Sequence, residues 1–450
     1  MMNFNFNNLT GEVITRDSFQ YEESRKAWNR AIEKYPLVIV YCHNNEDVIN
    51  ALIWAKENSL PIRIRSGCHH YEGYSTGNDL VVIDVSKMNN IYVDEENGLV
   101  KIEGGVRNRE LYEAMGSRKY PFPGGGCPTV GVVGLTLGGG WGYSSRFLGL
   151  ASDSLVELEL VDYKGNIIIA NERKNEDLFW ACRGAGGGNF GVIVSMTFKI
   201  PSKAENATLI NIDCNEIDIE EKIELVQVWQ REFKNLDRRM NMKMGIYNSK
   251  EKGKGIKMAG LFYGDNYEAK KLLEPFKNAV SKIDISLEYM SVLEANRAIQ
   301  DSHPDYEKYK SSGRFVYRDY SREEIEQIIN LVDNRAEGAV YTAISFYGLG
   351  GAVSDQDNSA MAVSFRDARF IMALQSVWED SKYSQINSKW MLEKFKYIKK
   401  VTDGSFINFP LAELDNYEEE YYKDIGRLRE IKSKYDPENI FDFPQGIKRA

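Results

Sequence analysis

Two hydrophobic periodicities alternate along the first two hundred residues. The run Leu37-Val38-Ile39-Val40-Tyr41 is short and continuously apolar, the pattern of a strand covered on both faces. A helical pattern follows at once. Val48, Ile49, Leu52 and Ile53 recur at helical spacing behind Asn44 or Asn45, either of which can cap the first turn. Pro61 closes the connection and Ile62 to Arg65 reads as the next strand. This β-α-β unit runs straight into the loop Ser66-Gly67-Cys68-His69-His70. Further strands are predicted at Leu80 to Val85, near Ile91 to Val93 and at Leu99 to Ile102, then a helix from Asn108 to Met115. Leu155 to Asp162 and Ile167 to Ala170 form a hairpin through Lys164-Gly165-Asn166. Val192 to Ile200 alternates as a strand until Pro201 stops it.

Beyond residue 203 the segments lengthen and glycine thins out. Helices are predicted at about 217–234, 266–276, 321–334 and 381–399. Between them lie strands such as Asn241 to Tyr247, Ile256 to Tyr263, Ile285 to Met290 and Phe370 to Trp378. This is the pattern of an α+β domain with helices on one face of an antiparallel sheet. Trp378 and Trp390 sit in apolar patterns and read as core. A last helix, Tyr417 to Lys434, leads to Asp436-Pro437 and a Phe-rich tail. The division expected is 1–203, 204–403 and 404–450.

Composition narrows the chemistry. The chain has 450 residues and a formal charge of −9. No basic stripe exists to release counterions, so nucleic acid is not an expected partner. Met1 to Leu9 has neither a cationic segment nor an apolar core, and no run of about 18 apolar residues occurs. A soluble, cytoplasmic protein is expected, with no membrane partner. Five scattered cysteines give no disulfide framework, and four histidines supply no multi-zinc site. Of the 37 glycines, 19 fall between Gly104 and Gly191. Gly186-Gly187-Gly188-Asn189-Phe190-Gly191 satisfies G-x-G-x-x-G, but a strand follows it where the dinucleotide fingerprint needs a helix. Backbone-only anion binding remains. The turn from Arg65 to His70 offers successive N–H groups as a nest. Gly131, Gly134, Gly138, Gly139, Gly140 and Gly142 leave room for a flat or phosphorylated ligand.

Four motifs, in order, carry a resemblance. They are Arg65-Ser66-Gly67-Cys68-His69-His70-Tyr71-Glu72-Gly73; Gly126-Cys127-Pro128-Thr129-Val130-Gly131 with Gly138 to Arg146; Asp177 to Gly184 with Asn189-Phe190-Gly191; and Lys434-Tyr435-Asp436-Pro437 through Gln445-Gly446-Ile447. Together they resemble the berberine-bridge-enzyme-like flavoproteins of the vanillyl-alcohol-oxidase group. The resemblance implies a two-part, PCMH-type FAD-binding domain made by the N-terminal half and the C-terminal tail. An α+β substrate domain lies between. It implies FAD joined through its 8α carbon to His69 and through C6 to Cys127. It also implies contacts from Arg65, Ser66, Gly67, Cys68, His70, Ser75, Val130, Gly131, Gly134, Leu135, Gly138, Gly139, Gly191, Val192, Val194 and Asn408. Imidazole and thiolate are the side chains nucleophilic enough for such bonds. Cys68 and His70 depart from the family pattern; packing or surface presentation is the simpler reading of each.

The implied reaction moves hydride from a C–H beside oxygen or nitrogen, in a sugar or secondary metabolite, to flavin N5. Dioxygen then becomes hydrogen peroxide. Val130 matches a position where small residues accompany oxidases. A dehydrogenase with another acceptor, or a flavin carrier without turnover, are the alternatives. The proton acceptor is sought among Tyr421 first, then Tyr422, Tyr71 and Tyr347. Glu72 is read as a hydrogen-bonding partner of its own loop. Substrate and oligomeric state are left open.

Overall fold

The computed structural model describes residues 4–450; Met1 to Asn3, the start of the polar N-terminal stretch, lie outside the described residues. Three sheets build the molecule. The first contains β1 (Glu12–Thr15), β2 (Val38–Tyr41), β3 (Ile62–Arg65) and β4 (Val81–Asp84), in the order β1-β2-β4-β3. The helix Asn45–Glu57 joins β2 to β3, and both strands run parallel to β4 between them. Asn44 is the cap: its side chain accepts from the Asp47 N–H.

The second sheet contains β5 (Ile91–Asp94), β6 (Leu99–Glu103), β7 (Leu155–Val161), β8 (Ile167–Asn171) and β9 (Val192–Lys199), ordered β5-β6-β9-β7-β8 and antiparallel throughout. Asp162 fixes the β7–β8 turn, accepting the N–H groups of Lys164 and Asn166 at 2.8 and 2.7 Å. Val38, Val40, Ile83, Val192, Val194 and Phe441 share one buried cluster, so both sheets and the C-terminal tail close on the same core.

The third sheet has eight antiparallel strands: β10 (Asn206–Asn215), β11 (Met240–Ser249), β12 (Gly253–Phe262), β13 (Asp284–Ser291), β14 (Lys308–Val316), β15 (Ala339–Gly348), β16 (Phe370–Trp378) and β17 (Asp403–Ser405). Their order is β13-β10-β12-β11-β15-β16-β14-β17. Alternation divides its faces. Met242, Met244, Phe346 and Leu374 pack under helices Ile219–Phe233, Arg322–Asn330 and Ser384–Val401, against Trp229, Ile325 and Phe395. Lys243, Gly245, Ser345 and Tyr347 face the other way and line a cavity.

Several elements differ from the sequence expectation. The helix expected at 321–334 ends at Asn330, and the one at 381–399 starts at Ser384 after a short 3-10 turn. The final helix is two, Tyr417–Tyr421 and Ile425–Tyr435, because Asp424 breaks the run and caps the second by accepting from the Arg427 N–H. Strands β1, β10, β14, β15 and β17 are additional, as are the helix Val292–Asp301 and the short helices Tyr21–Ser24, Val132–Leu137, Ser145–Leu148 and Glu176–Ala181. In the tail, buried Lys432 donates at 2.7 Å to the Asn189 carbonyl, the Phe441 carbonyl and Asp436. That ammonium ties the last helix to the glycine loop before β9.

Candidate functional site

A cavity of about 800 Å³ lies between the glycine loops and the polar face of the third sheet, with residues 407–410 and 441–445 on a third side. The loops can meet there only because side chains are missing. A Cβ on Gly67 would fall 2.3 Å from the Gly131 nitrogen, and one on Gly131 would fall 2.6 Å from Ser66 Oγ. Ser66 Oγ itself donates to the Gly104 carbonyl at 2.9 Å, pinning the crossing. Cys68 holds a left-handed φ of 60°, a conformation that costs an L-residue roughly 1 kcal/mol, and its side chain turns toward Ser75. The N–H groups of Cys68, His69 and His70 donate to no other group among the described residues. They lie in the cavity wall as unpaired donors.

His69 and Cys127 share that wall. His69 Nε2 lies 2.8 Å from Thr129 Oγ1, and Cys127 Sγ lies 3.8 Å from the same oxygen. The Trp28 ring stacks on the His69 ring, 4.9 Å between centroids at 26°. Burial first, then the charges of Arg107 and His303, pushes His69 down to about 3, so the imidazole is neutral. Burial raises the Cys127 thiol, while hydrogen bonds from Thr129 and Val130 oppose it.

The facing wall is ionic and aromatic. Lys243 and Tyr347 are directly paired across β11 and β15, and Lys243 Nζ sits 4.8 Å from the Tyr347 ring centroid. Burial disfavours the Lys243 ammonium, but the Tyr347, Tyr143 and Tyr341 phenols outweigh it and raise its pKa. Burial raises the Glu307 carboxyl, and Lys243 and Lys257 oppose that rise. Tyr71 packs edge-on against Tyr309 at 5.1 Å and flat on Phe409 at 5.2 Å, and burial lifts its phenol well above the ordinary range.

A family model described as an FAD binding domain matches residues 36–171, and one described as berberine and berberine-like matches residues 405–448. The FAD-linked oxidoreductase YvdP of Bacillus subtilis is 35% identical over 449 residues, covering 98% of each chain. The chain belongs to the berberine-bridge-enzyme-like FAD-linked oxidoreductases. Its fold matches BBE-like 1 of Physcomitrella patens, with a TM-score of 0.90, 23% identity and 98% of both chains covered. It also matches the glucooligosaccharide oxidase of Acremonium strictum, described with 6-S-cysteinyl, 8α-N1-histidyl FAD, at a TM-score of 0.89, 22% identity and 98% and 97% coverage.

The residues present fit FAD. Among the described residues, three adjacent N–H donors have no partner, a Cβ on Gly134 would meet nothing within 4 Å, and one on Gly187 would meet only Leu137. Ser66, Gly67, Cys68, His69, His70, Ser75, Cys127, Val130, Gly131, Gly134, Leu135, Gly191 and Asn408 all line the cavity. Five other expected contacts do not. The Arg65 guanidinium is buried in an ion pair with Asp84 and donates to the Ser24 carbonyl at 2.7 Å, so it faces the first sheet. Val192 and Val194 point into the core by strand alternation, leaving Ile193 on the cavity. Gly138 is crowded by Asn408, whose Nδ2 donates to the Leu135 carbonyl at 2.9 Å, and Gly139 by Val363 and Phe365.

The tyrosines separate. Tyr422 is buried away from the cavity, its hydroxyl donating to the Ala185 carbonyl at 2.8 Å. Tyr421 touches the cavity, but its hydroxyl donates to Gln445 at 3.0 Å and accepts from the Leu411 N–H at 3.3 Å. Both hold the C-terminal segment together. Tyr71 and Tyr347 line the open space. Glu72 pairs with Lys310 of β14 at 2.8 Å instead of its own loop. Trp28, Lys243, Glu307, Tyr309 and Gln375 also line the cavity and were not singled out in the sequence. For Lys243, Tyr309 and Gln375 the only signal is strand alternation, which places residues on a face without saying that the face is a site; Trp28 and Glu307 lie outside the strands.

Proposed function

We propose that this protein is an oxidase carrying FAD bonded to both His69 and Cys127, acting on the CH–OH group of a sugar or hydroxylated secondary metabolite. The observation that supports it most is the shared contact with Thr129: the two nucleophilic side chains stand in one wall, within reach of a single hydroxyl. A neutral imidazole is the form able to make such a bond, and His69 is held neutral. Bound FAD supplies the hydride acceptor and delivers the electrons to dioxygen, forming hydrogen peroxide. Val130, small and on the cavity surface, leaves room for dioxygen.

The chain's own groups then bind the donor and take its proton. Asn211, Ser286, Ser345 and Gln375 on the sheet face offer hydrogen bonds to a polyhydroxylated ligand. Tyr347 is the proton acceptor, because it lines the open cavity with its ring against Lys243. Tyr71, packed between aromatic rings and strongly opposed to ionisation, shapes the floor. Incubation with a panel of mono- and oligosaccharides and phenylpropanoid alcohols should release hydrogen peroxide in step with oxygen uptake. Reduction of the flavin that air fails to reverse would replace the oxidase with a dehydrogenase.

A further inference from the structure

Thr129 reaches both expected attachment residues and carries one hydroxyl, which can donate one proton while accepting another. His69 makes one hydrogen bond, through Nε2 to Thr129 at 2.8 Å, and Nδ1 has no partner among the described residues. Trp28 stacks on the imidazole and fixes its plane, and the Thr129 hydroxyl picks out Nε2 within it. If Nε2 donates to Thr129 Oγ1, the hydroxyl proton is left to point at Cys127 Sγ, 3.8 Å away. This arrangement puts one proton in each of the two contacts and leaves the Nδ1 lone pair free.

Resting on the two-tether reading above, we propose that Thr129 is a positioning residue for flavin attachment, setting the His69 tautomer so that Nδ1 carries the lone pair and donating its own proton toward the Cys127 sulfur. Two consequences follow for these side chains. Nδ1 is the nitrogen that bonds, because Nε2 is occupied as a donor. Cys127, which burial would keep as a thiol, gains from the Thr129 hydroxyl a side-chain contact that favours its thiolate, beside the backbone N–H groups of Thr129 and Val130. Attachment of His69 breaks a C–H of the 8α-methyl group, forms a C–N bond at Nδ1 and releases the Nε2 proton; attachment of Cys127 breaks the C6–H and the S–H and forms a C–S bond. In each, two protons and two electrons leave, and dioxygen takes them up as hydrogen peroxide.

The test uses the full-length protein with its FAD, in wild-type, Cys127→Ala and His69→Ala backgrounds, each carrying Thr129, Thr129→Val or Thr129→Ser. Acid-stable flavin and the linkage in the flavin peptide are read by absorbance, mass spectrometry and NMR. Thr129→Val is expected to cut covalent occupancy at least about tenfold through either remaining tether and to give a mixture of Nδ1 and Nε2 linkages. Thr129→Ser should restore both tethers with Nδ1 linkage alone. Full occupancy and pure Nδ1 linkage in Thr129→Val would overturn the proposal. So would failure of Thr129→Ser to rescue while it unfolds at the wild-type temperature. Absence of acid-stable flavin from the wild type would instead sink the two-tether reading, a separate result.

Discussion

Single residues carry the chemistry, and their surroundings decide which ones. Of the four tyrosines expected from the sequence, Tyr347 is the one whose ring faces a cation inside the cavity. Tyr347→Phe is therefore expected to lower kcat by about 10²–10⁴-fold while flavin content and the protein's visible spectrum stay normal, as steady-state kinetics and absorbance will show. The corresponding change at Tyr421 removes a structural bond to Gln445 and should alter stability more than turnover. His70 adds a pH signature. Burial lowers it from 6.5 to about 4, and its Nδ1 accepts from the Glu72 N–H, as a neutral ring does. An unfolded chain takes a proton below 6.5 that the folded one refuses until about 4, so stability falls as pH drops through that interval. At pH 5 the loss from this group is at most about 2 kcal/mol. Urea titrations at pH 7 and 5 should show His70→Asn losing less over that interval than the wild type.

At the scale of elements, the crossing of the two glycine loops is the piece most sensitive to added atoms. Gly67→Ala drives a Cβ into backbone and should cost 1–3 kcal/mol or more, visible as a lower unfolding midpoint and lost flavin. Gly134→Ala meets only open space. It should keep the fold and weaken FAD retention alone, which separates packing from ligand contact. Cys68→Gly relieves a left-handed residue and should raise stability by about 1 kcal/mol in the same assay. These loops were legible in the sequence because their glycines and motif residues are contiguous. The sheet face was not. Lys243, Glu307, Tyr347 and Gln375 come from β11, from just before β14, from β15 and from β16, and only register brings them together. The strand β14, Lys308–Val316, holds two serines, a glycine and an arginine, and hides its character because Ser312 donates to the Phe409 carbonyl and Arg314 pairs with Glu420 instead of with water. The helix Val292–Asp301 did carry a signal, the capping box of Ser291 and Glu294.

Across the whole molecule, the last fifty residues return to the glycine loops and complete the wall. Lys432 is the fastening: fully buried, bonded to Asp436 and to two carbonyls, one of them at Asn189. Lys432→Met leaves the buried Asp436 carboxylate without its cation, held only by the Ile440 and Phe441 N–H groups, and should destabilise by about 3–5 kcal/mol in calorimetry, with early loss of any flavin not covalently held. The expected two-part construction around FAD rested on motifs at both ends of the chain. Arg65, Val192, Val194, Gly138 and Gly139 fall within or beside those motifs and yet face protein, since a motif also contains the residues that pack its own loops. The central claim is tested most directly by precipitating the pure protein in acid. Wild type should carry its yellow flavin into the pellet, His69→Ala and Cys127→Ala should each do so through the remaining bond, and the double variant should release it entirely. Flavin found in the supernatant of the wild-type sample would contradict the account.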